Sequence, residues 1–120
     1  EGLLGAQAQG ARPQPGVTPV RVRPAADREL DAAVSFLLQE SAAGAALQLL
    51  AEFEAALGRI AGRPGIGSPR YARLLRGLRF WKLRRHPYLI FYVEQPDFID
   101  VLRVLHAARD IPAALQEDLP

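Results

Sequence analysis

Hydrophobic and polar positions change their spacing several times along the chain, and each spacing predicts a different element. The stretch TPVRVRP alternates Val20 and Val22 with two arginines, which is typical of a short, half-buried strand. Pro19 and Pro24 lie on either side, where neither can donate to a sheet ladder. We therefore predict one short strand near the N-terminus.

Helical spacing begins at Ala25. Leu30, Val34 and Leu37 recur three or four positions apart, which predicts an amphipathic helix that ends near Glu40. The break SAAG follows at once. A second helix is expected immediately after this break, so the two helices should form an antiparallel hairpin.

The second helix is predicted from Ser41, a candidate N-cap, to Gly62, where Pro64 follows closely. Its apolar face is predicted to consist of Ala46, Leu50, Phe53, Leu57 and Ile60. Such a face must pack against another apolar surface. We expect that surface to be a sheet.

Three further strands are predicted at about residues 78–84, 88–94 and 98–106. The links RHP and QPD are short, so these strands should be antiparallel neighbours. The tail after Ala107 is predicted to form a short helix or an irregular arm. The expected fold class is α+β, in the order β-α-α-β-β-β, with the helical hairpin packed on an antiparallel sheet.

Composition supports a single folded domain over residues 17–120, because 49% of the chain is hydrophobic and 23% is charged. Residues 1–16 are rich in Gly, Ala, Gln and Pro and lack periodicity, so we expect a flexible leader or a remnant of cloning. There are no cysteines, which excludes disulfides and thiolate metal sites. No apolar run is long enough to span a membrane, and we expect a cytoplasmic protein.

Positive charge is concentrated in one window, which we call the basic window, from Ala55 to Val93. It contains no acidic residue and nine basic ones: Arg59, Arg63, Arg70, Arg73, Arg76, Arg79, Lys82, Arg84 and Arg85. Such a block favours an anionic partner, either nucleic acid or an acidic protein segment. The alternative is a solvated face without a partner.

Candidate chemistry is sparse. His86 and His106 are the only histidines and have no paired acid at ligand spacing, so we predict no metal site, and no cofactor motif is present. A metal-free ribonuclease would need a base, an acid and a cationic clamp, for which Arg84, Arg85, His86 and His106 are the candidates. For His106 we favour a structural role, as a strand-end residue hydrogen-bonded to backbone.

Two long segments resemble a known family. The stretch GIGSPRYARLLRGLRFWKLRRHPYLIFYVEQPDFIDVLRVLHAARDIPAAL resembles the second half of toxins of the RelE/ParE superfamily, which belong to bacterial toxin–antitoxin systems. The stretch VRVRPAADRELDAAVSFLLQES resembles the opening strand and helix of the same family. The resemblance covers about residues 17–115 and implies a helical hairpin against an antiparallel sheet.

The superfamily has two main activities. One branch cleaves messenger RNA in the ribosome, and the ParE-like branch poisons DNA gyrase. The RNA-cleaving branch commonly has an arginine where this chain has Leu89, and often a Tyr or His near the C-terminus, which this chain lacks after His106. PYLIFY with LHAARD therefore resembles ParE, which argues against a ribonuclease and against an enzyme.

The resemblance further implies partners. It predicts a cognate, ParD-like antitoxin whose C-terminal segment wraps over the toxin, a toxin–antitoxin hetero-oligomer, and gyrase as the target. The residues predicted to bind partners are Arg76, Arg79, Lys82, Arg84, Arg85 and Arg109. Alternate strand residues point to opposite faces, so these cannot all serve one surface. Two alternatives stay open: a RelE-like ribonuclease, and a degenerate member that binds its antitoxin without toxicity.

Overall fold

The computed structural model describes residues 18–117, so the predicted leader over residues 1–16 lies outside the described residues. The elements in chain order are β1 (Val20–Val22), α1 (Pro24–Gln39), α2 (Ala43–Gly62), a 3-10 turn (Pro64–Ile66), β2 (Leu78–Lys82), β3 (Tyr88–Glu94), β4 (Ile99–His106) and α3 (Ile111–Gln116). The predicted order and the α+β fold class are confirmed. The tail forms the short helix α3.

The sheet has four strands in the order β1-β4-β3-β2. β2, β3 and β4 are antiparallel neighbours, as the short links predict. β1 lies parallel to β4, with Val20 opposite Ile99, which makes the sheet mixed. A parallel neighbour requires a long crossover connection, which the helical hairpin and the two strands before β4 provide.

The junction of the helical hairpin differs from the prediction in one detail. The residue that precedes α2 is Ala42, and no side chain caps the helix. Ser41, the predicted N-cap, has a φ of 58°, in the left-handed region. It terminates α1 there, since its N–H donates to the carbonyl oxygen of Leu38. The link between the helices is too short for Ser41 to make this turn and also cap α2.

The first core lies between the hairpin and one face of the sheet. Four of the five predicted α2 positions are buried, namely Ala46, Phe53, Leu57 and Ile60. Leu50 is only half-buried, and the neighbouring Leu49 is fully buried in its place. The helix is therefore rotated slightly from the predicted orientation. Phe53 is the largest fully buried side chain that α2 contributes.

The other face of the sheet forms a second core, which the sequence analysis did not anticipate. Leu89 and Phe91 of β3 pack there with α3, and with Tyr71, Leu74 and Leu75 of the segment before β2. Because both faces are covered, every residue of β4 except His106 is buried. The continuous apolar run of β4 thus reflects burial on two sides.

A register shift in the β3–β4 ladder distributes β4 between the two cores. Phe91 lies opposite Arg103, whereas Tyr92 lies opposite Val101, so Leu102 is an extra residue. Val101 packs in the first core and Leu102 in the second. An extra residue of this kind is a β-bulge, and it reverses the side-chain alternation beyond it.

Candidate partner-binding surface

The basic window surrounds β2, the outer strand of the sheet. Ser68 pairs with the middle of this edge, since its N–H donates to Phe80 at 2.8 Å and its carbonyl oxygen accepts from Phe80 at 3.0 Å. Backbone N–H and C=O groups of residues two positions apart in a strand point to the same side. Those of Lys82 therefore point away from β3, as those of Phe80 do. The edge of β2 is thus covered at Phe80 and open toward the β2–β3 turn.

The cations around this edge are not neutralised within the described residues. Eight of the nine have exposed side chains: Arg59, Arg63, Arg70, Arg73, Arg76, Lys82, Arg84 and Arg85. Between residues 18 and 117, none of the nine is within 4.0 Å of a carboxylate as an ion pair. The basic window therefore leaves eight exposed positive charges, before, along and after β2 and at the end of α2, that are available to an anionic partner.

Arg79, the ninth cation, is half-buried and already makes hydrogen bonds. Its guanidinium donates to the carbonyl oxygens of Gly67 at 2.7 Å and of Gly65 at 3.3 Å. Both acceptors lie in the loop that follows α2. Arg79 consequently holds this loop against β2, and fewer of its donors are left for a partner than in the exposed arginines.

Tyr92 fixes the same loop from the first core. Its hydroxyl donates to the carbonyl oxygen of Pro64 at 2.6 Å and accepts from the N–H of Gly67 at 2.9 Å. A Cβ at Gly67 would lie 2.5 Å from that hydroxyl, so only glycine fits. Burial raises the pKa of Tyr92 above its ordinary value. Tyr92 thus packs in the first core and anchors the loop. Tyr88, which is half-buried, packs against the same core.

Glu52 of α2 binds the turn between β2 and β3. Its carboxylate accepts hydrogen bonds from the backbone N–H groups of Arg84 and Arg85, and it lies 3.0 Å from His86 Nδ1. Because the backbone of this turn faces Glu52, the guanidinium groups of both arginines are left exposed to solvent. No sequence pattern indicated Glu52, because only the fold brings it near residues 84–86.

The pKa of Glu52 reflects this environment. Burial acts to raise the pKa of Glu52, but the hydrogen bonds from the His86 side chain and from the backbone of Arg84 and Arg85 outweigh it. The net result is a pKa below the ordinary value of 4.5. The carboxylate is therefore charged at neutral pH and stays bound to the turn.

A pocket of about 100 Å³ lies between α2 and β2. We call it the Trp81 pocket, and it is lined by Glu52, Ala55, Ala56, Arg59, Trp81 and Arg84. The four α2 residues follow the spacing of a single helix face. An indole, two arginines and two small apolar side chains thus surround one opening beside the β2 edge.

The two histidines lie at the same end of the sheet as the β2–β3 turn. The ring of His106 contacts Tyr88 edge-on, with ring centroids 5.3 Å apart. His106 Nδ1 accepts a hydrogen bond from the N–H of Ala108 at 3.0 Å. This is the backbone-bonded, strand-end arrangement that we favoured from the sequence. It also means that neutral His106 carries its proton on Nε2, so neither nitrogen is free to act as a base.

His86 differs from His106 in its tautomer. Its Nδ1 faces the charged Glu52 carboxylate, so Nδ1 carries a proton, and in the neutral tautomer the lone pair is on Nε2. Its side chain is only 10% exposed. Of the two histidines, His86 is the better candidate base, although its burial restricts access.

The six residues predicted to bind partners do not form one cluster. Arg84 and Arg85 follow β2, whereas Arg76 precedes it, and a strand of five residues spans about 17 Å. Arg109 lies beyond β4 and forms an ion pair with Glu117 at 3.3 Å. Lys82 adjoins the turn arginines. The structure therefore brings Arg59, Trp81 and Arg84 together at the pocket, with Arg85 next to Arg84 in the turn. Lys82 follows the alternation of the strand and lies on the opposite face of β2 from Trp81.

Two classes of site have no structural support in the described part of the chain. Among residues 18–117, no helix is both long and apolar enough to cross a bilayer. Over the same range, no three His, Cys, Asp or Glu side chains are grouped as metal ligands would be.

Comparison with known proteins identifies the family. The family model of the ParE toxin of type II toxin–antitoxin systems, parDE, matches residues 20–111. This match covers all four strands and both long helices. The chain therefore belongs to the ParE toxin family.

A solved structure supports the fold. The chain is similar to one from a structure described as the chromosomal ParDE toxin–antitoxin system from P. aeruginosa. The TM-score is 0.62 at 20% sequence identity, and the match covers 71% of this chain and 90% of the other. No match to a curated protein was found. The resemblance to this superfamily noted from the sequence is confirmed.

Proposed function

We propose that this ParE-family toxin inhibits DNA gyrase in the cytoplasm and is neutralised when a ParD-like antitoxin binds its β2 edge. The observation that carries the antitoxin part is the exposed, unneutralised positive charge around an open strand edge. An acidic, extended segment can add backbone hydrogen bonds at such an edge and pair its carboxylates with the arginines. The product would be a toxin–antitoxin hetero-oligomer.

The support for gyrase over RNA cleavage comes from three positions. Leu89 stands where RNA-cleaving relatives place a cation, and here its side chain packs in the second core. A cation at that position would be buried beneath α3 and could not reach a substrate. His106 is bound through Nδ1 to backbone, and no Tyr or His follows it in the chain.

The test is a pair of assays on the purified full chain. We expect inhibition of gyrase supercoiling, with accumulation of broken DNA, and no cleavage of messenger RNA on ribosomes above background. The cognate antitoxin should abolish the inhibition when added at equal concentration. Messenger cleavage without any effect on gyrase would overturn the gyrase part of the proposal. Inactivity in both assays, with antitoxin binding intact, would identify a degenerate member of the family.

One observation favours the second candidate function, a ribonuclease. The Glu52–His86 pair leaves His86 Nε2 with a lone pair, close in sequence to Arg84 and Arg85, so a base and a cationic clamp occur together. If messenger cleavage is detected, His86→Gln should lower its rate about 10²–10⁴-fold, as expected for loss of a general base. His106→Gln is the matched control, because its ring is bound to backbone. We expect the folded His106→Gln variant to keep its toxicity.

A further inference from the structure

The Trp81 pocket combines an apolar interior with a cationic rim. Ala55 and Ala56 of α2 and the indole of Trp81 provide apolar walls. Arg59 and Arg84 also line the opening, and both have exposed side chains. A side chain that enters the pocket would therefore contact carbon, while groups on either side of it would meet guanidinium.

The one carboxylate at the pocket does not neutralise these arginines. Glu52 is bound by the backbone N–H groups of Arg84 and Arg85 and by His86 Nδ1. Neither Arg59 nor the Arg84 side chain forms an ion pair with any carboxylate of residues 18–117. The rim thus keeps its affinity for an external carboxylate.

The volume limits what the pocket can hold. About 100 Å³ is less than the roughly 150 Å³ of an engineered apolar cavity that admits benzene. The space suits one branched aliphatic side chain. A stacked nucleobase with its sugar would need more room.

From this geometry we infer that the Trp81 pocket is an anchor site for one aliphatic side chain of an acidic peptide segment, whose flanking carboxylates pair with Arg59 and Arg84. The inference rests on the proposed neutralisation by an antitoxin and assigns a specific contact to it. Burial of one apolar side chain with charge pairs at its rim is the usual anatomy of a binding hot spot. The anchor fixes the register of a segment that charge alone would bind without specificity.

The chain carries its own reporter for this site. Trp81 is the only tryptophan, so intrinsic indole fluorescence arises from the pocket wall. The probe is a short oligo-glutamate peptide with one central leucine, titrated to millimolar concentration. We expect a saturable shift of the Trp81 emission to shorter wavelength. The same peptide with alanine in place of leucine should bind about tenfold more weakly, because the apolar anchor is lost.

Two variants test the location. Ala55→Leu fills the opening from an exposed helix position, so the fold should survive, and we expect the fluorescence shift to disappear. Arg59→Ala should weaken peptide binding about tenfold, since a hydrogen bond to a charged group contributes on that scale. Arg63→Ala is the matched control, because Arg63 is exposed and carries the same charge but does not line the pocket.

Several results would overturn the inference. These are the absence of any shift, equal binding of the leucine and alanine peptides, equal weakening by Arg59→Ala and Arg63→Ala, and a larger shift with oligothymidylate than with the peptide. The last would indicate a nucleic-acid site instead.

Titration of the whole antitoxin distinguishes failure of the anchor site from failure of the proposed function. Tight antitoxin binding that Ala55→Leu leaves unchanged removes only the anchor, whereas no antitoxin binding by the parent chain removes the proposed function.

Discussion

The arginines at the two sides of the sheet differ in what their side chains bind. Beside β1 and β4, Arg23 makes two hydrogen bonds with the buried carboxylate of Asp100, at 3.0 and 2.8 Å. Arg103 binds Glu29 of α1 and the carbonyl oxygen of Ala114 in α3. Around β2, by contrast, none of the nine cations has an acidic partner among residues 18–117.

The contrast has a structural basis. β1 is only three residues long, so the second half of β4 has a strand on its β3 side but none on its β1 side. Glu29 takes that place, since its carboxylate accepts from the N–H of Val104 at 2.9 Å. Charge on this side is used to complete the fold. On the β2 side, Arg79 holds the loop that follows α2, whereas the other eight cations are exposed to solvent.

The largest expected loss of unfolding free energy is on the β4 side of the sheet, at Glu29. Glu29→Ala leaves Arg103, which is 4% exposed, without its main carboxylate, and loss of one partner of a buried ion pair costs about 3–5 kcal/mol. A urea titration should show this loss of unfolding free energy. Arg28→Ala, at an exposed neighbouring position, is the control and should change little. A loss below about 1 kcal/mol for Glu29→Ala would remove the contrast between the two sides.

An intermediate effect is expected at Tyr92, the residue that anchors the loop behind the β2 edge. Tyr92→Phe leaves the buried N–H of Gly67 without its acceptor, which should cost about 1–3 kcal/mol in the same titration. Tyr71→Phe is a suitable control, because no hydrogen bond to its hydroxyl occurs among residues 18–117. Equal stability of the Tyr92→Phe variant and the parent would show that the Tyr92 hydroxyl does not hold the loop.

Glu52 predicts a pH dependence for the turn that bears Arg84 and Arg85. Its pKa is lower in the folded than in the unfolded chain, so its contribution to stability is complete above pH 4.5 and is lost as the pH falls through the folded value. Thermal melts between neutral pH and pH 3 should therefore show a smaller acid destabilisation for Glu52→Gln than for the parent. Glu54→Gln, two residues along α2, is the control variant. Identical slopes of melting temperature against pH for Glu52→Gln and the parent would contradict the prediction.

The smallest expected effect on stability is at the exposed cations. Arg84→Glu with Lys82→Glu should change the unfolding free energy by no more than about 0.5 kcal/mol, because both side chains are exposed. The same pair should slow antitoxin association and reduce its salt dependence. Titration calorimetry at two salt concentrations measures this. Unchanged affinity and an unchanged salt slope would show that the antitoxin binds elsewhere.

Local sequence patterns were sufficient to predict the helices and strands. They were not sufficient to predict contacts between residues that are distant in sequence. The spacing of Leu30 and Val34, and the alternation of Val20 and Val22, identified a helix and a strand because both patterns report burial on one face. The parallel pairing of β1 with β4 left no such pattern. The second core also escaped prediction, since the apolar run of β4 resembles that of any buried strand.

The candidate site was predicted in part for the same reason. A charge window is visible in the sequence, so Lys82, Arg84 and Arg85 were identified together. Glu52 and Arg59 reach the same place only because α2 packs beside β2. Arg109 was grouped with the others by charge alone, and the fold pairs it with Glu117 instead.

The placement of β1 beside β4 has a consequence for synthesis. Val20 is translated about eighty residues before Ile99, its partner in the sheet. β4 lies between β1 and β3, so neither core can close before it is present. Contacts this distant in sequence form late in folding, because the entropic cost of closing the intervening loop must be overcome first. The four-stranded sheet therefore cannot be completed until β4 has been made, although both long helices are translated well before it.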